Sequence, residues 1–173
     1  MILETIENLS KDNNVRVYFD MDGVLASFDM ITGLDYAEKG FYTNKRPILA
    51  SIQFAQYLSK IKNVEVYILS NCHYTYQRNE KLEWLQRHAP FIKKDNINII
   101  CFEEFNEDVD LIKLKANFFE ETRKLTNDKL IIIDDDIRHL NQMQQVETLL
   151  PYHVSALIEE FDFIKIKNAE HQI

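Results

Sequence analysis

Glycine, proline and cysteine are all scarce in this chain: three, three and two among 173 residues. With so few residues that punctuate turns, helix boundaries are legible only to within a few positions. The two cysteines, Cys72 and Cys101, show no C-x-x-C spacing, so neither a disulfide framework nor a structural zinc site is expected. A reducing cytoplasm is the simpler setting. No run of about 18 apolar residues occurs, so no membrane-spanning helix is expected. The first residues, MILETIENLSKDNN, carry acids where an export signal needs a basic start and an unbroken apolar run. The expectation is therefore a cytoplasmic protein without a membrane partner. A long basic block is also lacking: 20 Lys and Arg against 28 Asp and Glu give a net charge of −8, which argues against an extended nucleic-acid surface. A locally basic pocket is compatible with that balance. There is no internal repeat and no low-complexity tract.

What is present suits one ordinary core. Hydrophobic residues make up 46% of the chain, enough for a single domain spanning 1–173 and too few positions for two comfortable ones. Short runs rich in valine and isoleucine recur: VRVYF (15–19), VEVYILS (64–70), INIICF (97–102), KLIIID (129–134) and YHVSALI (152–158). Between them lie segments with helical spacing, at 47–61, 76–89, 110–125 and 139–150, with Pro90 and Pro151 as the clearest stops. Strand alternating with helix predicts parallel pairing, because parallel neighbours need a long crossover. Nearly continuous apolar strands predict a sheet covered on both faces. The fold class is thus α/β, a three-layer, Rossmann-like arrangement around a five-stranded parallel sheet. FDFIKIK (161–167) alternates with period two and reads as an edge strand, or else belongs to a partner-binding tail.

One segment breaks the alternation. Residues 27–46 hold Gly33 and Gly40 and lie between the first strand and the first long helix, so they read as a small cap or flap insertion. Their aromatics Phe28, Tyr36, Phe41 and Tyr42 could stack on a substrate ring, although packing among themselves is the simpler account.

The strand ends carry the chemistry, since ligands of doubly wound sheets sit beyond the carboxyl ends of the strands. Asp20 and Asp22 follow the first strand, Ser70 and Asn71 end the second, and Asp134, Asp135 and Asp136 end the fourth. Acids gathered at one mouth repel and raise one another's pKa unless a cation offsets them. Magnesium fits, because it takes a few carboxylate oxygens, keeps some waters and bridges readily to phosphate. An EF-hand loop also starts D-x-D, but Val24 and Ile31 occupy its fifth and twelfth positions, where oxygen ligands are required. Asp136 reads more simply as the cap of the helix starting near Arg138.

Taken in order, FDMDGVLASF, YILSN, a lysine ahead of the fourth strand and IIIDDD resemble the four motifs of the haloacid dehalogenase (HAD) superfamily of phosphohydrolases. DMDGVLA, EKLEWLQRH and LKANFF…KLIIIDDDIRHL look most like the 5'(3')-deoxyribonucleotidase group. The resemblance implies a magnesium-dependent phosphomonoesterase in which Asp20 is the nucleophile and Asp22 the general acid and base, the latter needing a raised pKa. It implies metal ligation by the Asp20 carboxylate, the Asp22 backbone carbonyl and Asp135, with Asp134 acting through water or from behind; the register within Asp134–Asp136 is open by one residue. Ser70 and Asn71 would donate to the phosphoryl oxygens. A lysine would balance them, Lys115 ahead of Lys113 and Lys124. Cys72 and His73 would lie at the rim. The implied substrate is a small phosphorylated molecule, a (deoxy)nucleoside monophosphate first, with a sugar phosphate, a nucleic-acid end or a phosphoprotein as alternatives because the insertion is short. A different class, a regulatory or binding module phosphorylated on aspartate without turnover, gathers similar residues, but its lysine comes last in the chain.

Overall fold

A computed structural model describes residues 1–28, 35–105 and 109–160. Five strands form one parallel sheet: β1 (Val15–Phe19), β2 (Val64–Cys72), β3 (Ile97–Cys101), β4 (Lys129–Asp134) and β5 (Leu149–His153), in the order β3-β2-β1-β4-β5. The chain builds outward from β1 to β2 and β3, then returns to the other side of β1 for β4 and β5. The crevice between the carboxyl ends of β1 and β4 is therefore a topological switch point, where doubly wound sheets hold ligands.

Period-two alternation sorts the strand residues between two cores. Val15, Val17 and Phe19 of β1, with Ile131 and Ile133 of β4, face one layer. Tyr18 and the β4 residues Leu130 and Ile132 face the other. The first layer is covered by α1 (Ile2–Leu9), α2 (Leu49–Leu58) and the Trp84 and Leu85 side of α3 (Thr75–His88); the second by α4 (Leu114–Leu125) and α5 (Ile137–Met143). Phe19 is fully buried and meets Phe54 of α2 edge to face. Burial of such a ring contributes about 1.5–3 kcal/mol. The three-layer α/β class read from the sequence is what forms.

Several boundaries differ, each for an identifiable reason. The N-terminal helix α1 was not among the expected helices, although Ile2, Ile6 and Leu9 stand at i, i+4 and i+7 and the first two are buried. The helix expected over 110–125 begins with a short 3₁₀ turn, Leu111–Lys113, whose start is capped by the Asp110 side chain accepting from Ile112 N. The helix expected over 139–150 ends at Met143, and the strand expected over 152–158 is β5, Leu149–His153. Pairing of Leu149–His153 with Leu130–Asp134 of β4 overrides the helical spacing of that stretch. Pro151 accordingly lies inside a strand rather than ending a helix, which an edge strand tolerates. FDFIKIK (161–167) and the flap positions 29–34 fall outside the described residues.

Thr148, just before β5, has φ of 69°, a left-handed conformation that crowds a β-branched side chain. Thr148→Gly is expected to stabilise the protein by about 1 kcal/mol net of the extra freedom glycine gives the unfolded chain. Calorimetry should read this as a rise in Tm of about 2–4 °C; a fall would contradict the strain.

Candidate active site

Register places the acids. Phe19 of β1 pairs with Ile133 of β4, so the next residues, Asp20 and Asp134, emerge side by side, and Asp20 N–H donates to Ile133 O at 2.9 Å. Asp20 is 7% exposed and Asp134 is fully buried. One oxygen of Asp20 accepts from Met21 N at 2.7 Å, and one oxygen of Asp134 accepts from Asp136 N at 2.9 Å. Asp136 itself caps α5, accepting from Arg138 N at 2.8 Å, and its carboxyl is held down to about 2 by the Arg138 guanidinium. The capping role read for it from the sequence is the one it has.

After Asp20 the chain turns sharply. The N–H groups of Leu25 and Ala26 both donate to Met21 O, and Met21, Val24, Leu25 and Ala26 are fully buried, pinning the loop into the core. Gly23 sits in this loop at φ of 73°, and a Cβ there would fall 2.1 Å from an Asp135 carboxylate oxygen. Glycine is thus required twice, for the backbone angle and for the space that Asp135 fills. Asp20, Asp134 and Asp135 each offer an oxygen, and these lie within 4.8 Å of one another.

The electrostatics fit a cation. Burial, and then the charges of Asp20 and Asp134, push the Asp135 carboxyl up to about 6. Burial likewise raises Asp20, with Asp134 adding to it and Lys115 opposing. Lys115, from the first turn of α4, reaches Asp134 at 2.6 Å and Asp20 at 3.0 Å with 1% of its side chain exposed. Burial works against its charge, but the two carboxylates outweigh that and raise its pKa. Lys113 pairs instead with Asp110, with more than half of its side chain exposed. Lys124 pairs with Glu121 on the outer surface. A donor set of hard carboxylate oxygens, short of positive charge at Asp135, suits a divalent cation such as Mg2+.

Asp22 departs from the sequence expectation. Its two oxygens are held by two lysines, Oδ1 by Lys45 at 2.6 Å and Oδ2 by Lys81. Burial acts to raise this carboxyl, but the Lys81 and Lys45 charges outweigh it and leave the pKa below the ordinary range, not above it. Lys81 also donates to Ser70 Oγ at 2.9 Å and to Asn71 O at 2.6 Å. Ser70 is fully buried on β2, and both polar atoms of the Asn71 amide are buried without a partner among the described residues. Neither lysine was singled out from the sequence. Lys81 left a signal, since it falls in the buried stripe Gln77, Lys81, Trp84, Leu85 of α3, where a charge needs an explanation. Lys45 left none, because its partner is distant in the chain.

These groups open onto a cavity of about 640 Å³ lined by Asp20, Asp22, Ser70, Asn71, Lys115 and Asp135, with aromatic walls from the flap. The flap leaves and rejoins the fold at one place: Ala26 bridges Pro47, and Ser27 N donates to Arg46 O at 2.8 Å. It docks on α3, where Glu80 accepts from Gly40 N and Tyr42 N and Trp84 Nε1 donates to Lys45 O. Tyr36, Phe41 and Tyr42 pack on one another as well as facing the cavity, so packing and lining are both served. The Lys45 ammonium lies 5.0 Å from the Phe28 and Phe41 ring centres and 5.2 Å from that of Tyr42. His73 meets Tyr36 and Phe102 edge to face, and Cys72 lines the cavity with its thiol pushed up to about 12 by burial.

Solved structures share this architecture. A class C acid phosphatase from Bacillus anthracis, with tungstate bound, superposes with a TM-score of 0.55 at 20% identity, over 96% of this chain and 85% of that one. A Burkholderia xenovorans LB400 protein assigned as a haloacid dehalogenase-like hydrolase gives 0.54 at 12% identity, over 80% and 81%. A chain of the Pnkp1/Rnl/Hen1 complex gives 0.62 at 14%, over 82% of this chain but 46% of that one, so the present chain spans about half the length of that protein. Comparison with curated protein sequences gives no match. The fold is that of the haloacid dehalogenase-like hydrolases. Within it, the model of the family described as "5' nucleotidase, deoxy (Pyrimidine), cytosolic type C protein" matches residues 29–165, and the chain belongs to that family. No helix among the described residues is long and apolar enough to cross a membrane.

The raised Asp135 carboxyl makes a pH-dependent expectation. Its folded value of about 6 exceeds the unfolded ~4, so without a cation this group's stabilising share is present below pH ~4 and lost as pH rises through 6. A bound cation reverses the penalty by favouring the ionised form. Thermal melts should therefore show a Mg2+-dependent gain in Tm at pH 7.5 that shrinks toward pH 5. Gly23→Ala should remove that gain by displacing Asp135; an unchanged gain would contradict the seat.

Proposed function

We propose that this protein is a Mg2+-dependent phosphomonoester hydrolase working through an aspartyl phosphate, with (deoxy)nucleoside monophosphates as substrates. The observation that carries the reading is the meeting of Asp20, Asp134 and Asp135 within 4.8 Å at the β1/β4 switch point, with Lys115 between two of them. Asp20, Asp134 and Asp135 would hold the cation, which supplies charge to the transferring phosphoryl oxygens. The two displacements fall to the chain's own groups. An Asp20 oxygen attacks phosphorus, forming the aspartyl phosphate, a mixed anhydride, as the bond to the leaving oxygen breaks, and Asp22 gives that oxygen a proton. Asp22 then takes a proton from water, whose oxygen displaces Asp20 and frees inorganic phosphate.

In the arrangement described, Asp22 is an ionised carboxylate, ready for the second step. Its acid role requires one ammonium to withdraw as substrate enters, and Lys45 is the one carried by the flap. Ser70 and Lys115 bind the phosphoryl oxygens, and Asn71, whose buried amide lacks a partner among the described residues, supplies further donors. The insertion at 27–46 acts as a small cap on a single domain, and a cavity of about 640 Å³ with ring-bearing walls suits a nucleotide.

The test is phosphate release from nucleoside monophosphates, sugar phosphates and p-nitrophenyl phosphate, with and without Mg2+. Turnover is expected on nucleotides only with the cation, and Asp20→Asn should lower kcat by at least about 10³-fold. Full activity in Asp20→Asn would remove the nucleophile.

A further inference from the structure

Lys81 is a fully buried lysine far from the helix ends, and its surroundings account for every hydrogen it carries. An ammonium has three donors and no acceptor. Three oxygens surround this one: an Asp22 carboxylate oxygen, Ser70 Oγ at 2.9 Å and Asn71 O at 2.6 Å. The Tyr42 ring centre lies 4.6 Å away on another side. Lys81 thus has no donor left for a substrate, which separates it from Lys115.

The contact with Ser70 has a direction. Because Lys81 can only donate, Ser70 Oγ must accept, and a hydroxyl has a single proton of its own. That proton is not used on Lys81. Ser70 lines the cavity beside Asp20 and Lys115, so the remaining O–H is free to be given to an anionic oxygen there. A hydroxyl without such a neighbour can rotate to accept instead, as from Lys115 or a water, and then presents a lone pair to the phosphoryl group.

Resting on the phosphohydrolase reading above, we propose that Lys81 is a positioning residue: it fixes Ser70 as a donor toward the phosphoryl oxygens and anchors one oxygen of Asp22, without touching substrate itself. Lys45 holds the other oxygen of Asp22 from the flap and makes no bond to Ser70, so the two lysines divide the work. Lys81 serves both phosphate recognition and the proton-carrying group; Lys45 serves only the latter. A lysine whose role was merely to fill the α3 interface would lower stability without being tied to Ser70 in particular.

A set of double-variant cycles distinguishes these roles. With p-nitrophenyl phosphate and Mg2+, Ser70→Ala and Lys81→Met are each expected to lower kcat/KM by about 10–100-fold. The double variant should fall no more than about threefold below the less active single, because Lys81→Met already forfeits the Ser70 donation along with its hold on Asp22. Lys45→Met combined with Ser70→Ala should instead multiply. Multiplying losses for Lys81 and Ser70 would overturn the inference and leave the phosphatase reading intact. A second readout needs no turnover: the gain in Tm caused by inorganic phosphate in the presence of Mg2+. It should be present in the native protein, absent in Ser70→Ala and in Lys81→Met, and no different in the double variant. If the native protein releases phosphate from no substrate, the enzyme reading falls while this gain still decides the role of Lys81; a native protein without the gain overturns the inference. Should Lys81→Met fail to fold, Lys81→Gln enters the same cycles with the same outcomes.

Discussion

Like charges forced together in a poorly solvated mouth are what the rest of this structure answers to. Four carboxylates, Asp20, Asp22, Asp134 and Asp135, meet at one edge of the sheet, and three lysines at 4% exposure or less stand among them. In such a setting a missing partner costs about 3–5 kcal/mol, because it strands a charge that water cannot reach. The arrangement divides into two poles. At the inner one, Lys115 serves Asp20 and Asp134, and Asp135 is left short of positive charge, which is where a cation fits. At the outer one, Lys45 and Lys81 satisfy Asp22 completely. The same residue type thus does different things a few ångströms apart, according to how many counter-charges each carboxylate has.

Much of this was legible in the sequence. Apolar runs with alternating helical segments give the layers, and parallel pairing follows from the length of the crossovers. The D-x-D-G and D-D-D strand ends announce the cluster of acids, because both follow strands that a parallel sheet brings to one edge. The C-terminal part was misread because helical spacing in VETLL competes with strand pairing of LLPYH, and only the partner β4 decides between them. The pKa of Asp22 was misjudged for a related reason. Sequence proximity counts the neighbouring acids, whereas the lysines that govern it arrive from α3 and from the flap. Interactions local in the chain are readable; those that depend on which segments meet in space are not.

Shared architecture at 12–20% identity has a physical explanation in the same terms. Many apolar sequences fill the two cores, provided they alternate in register, so the layers constrain little beyond hydrophobic pattern. The switch-point groups are constrained by chemistry instead. Gly23 shows the difference: the space it leaves is taken by the Asp135 carboxylate.

The rings around Lys45 carry a consequence for the flap. Mobile ions weaken an exposed salt bridge by crowding around its charges, and that requires access. Phe28, Phe41 and Tyr42 bring aromatic faces within about 5 Å of this ammonium, which attract it and, with the residue 4% exposed, leave ions little access. Background salt therefore weakens the tether between insertion and core less than it weakens surface pairs such as Lys93 with Glu65, and what loosens it is an occupant of the cavity that both Lys45 and Asp22 line.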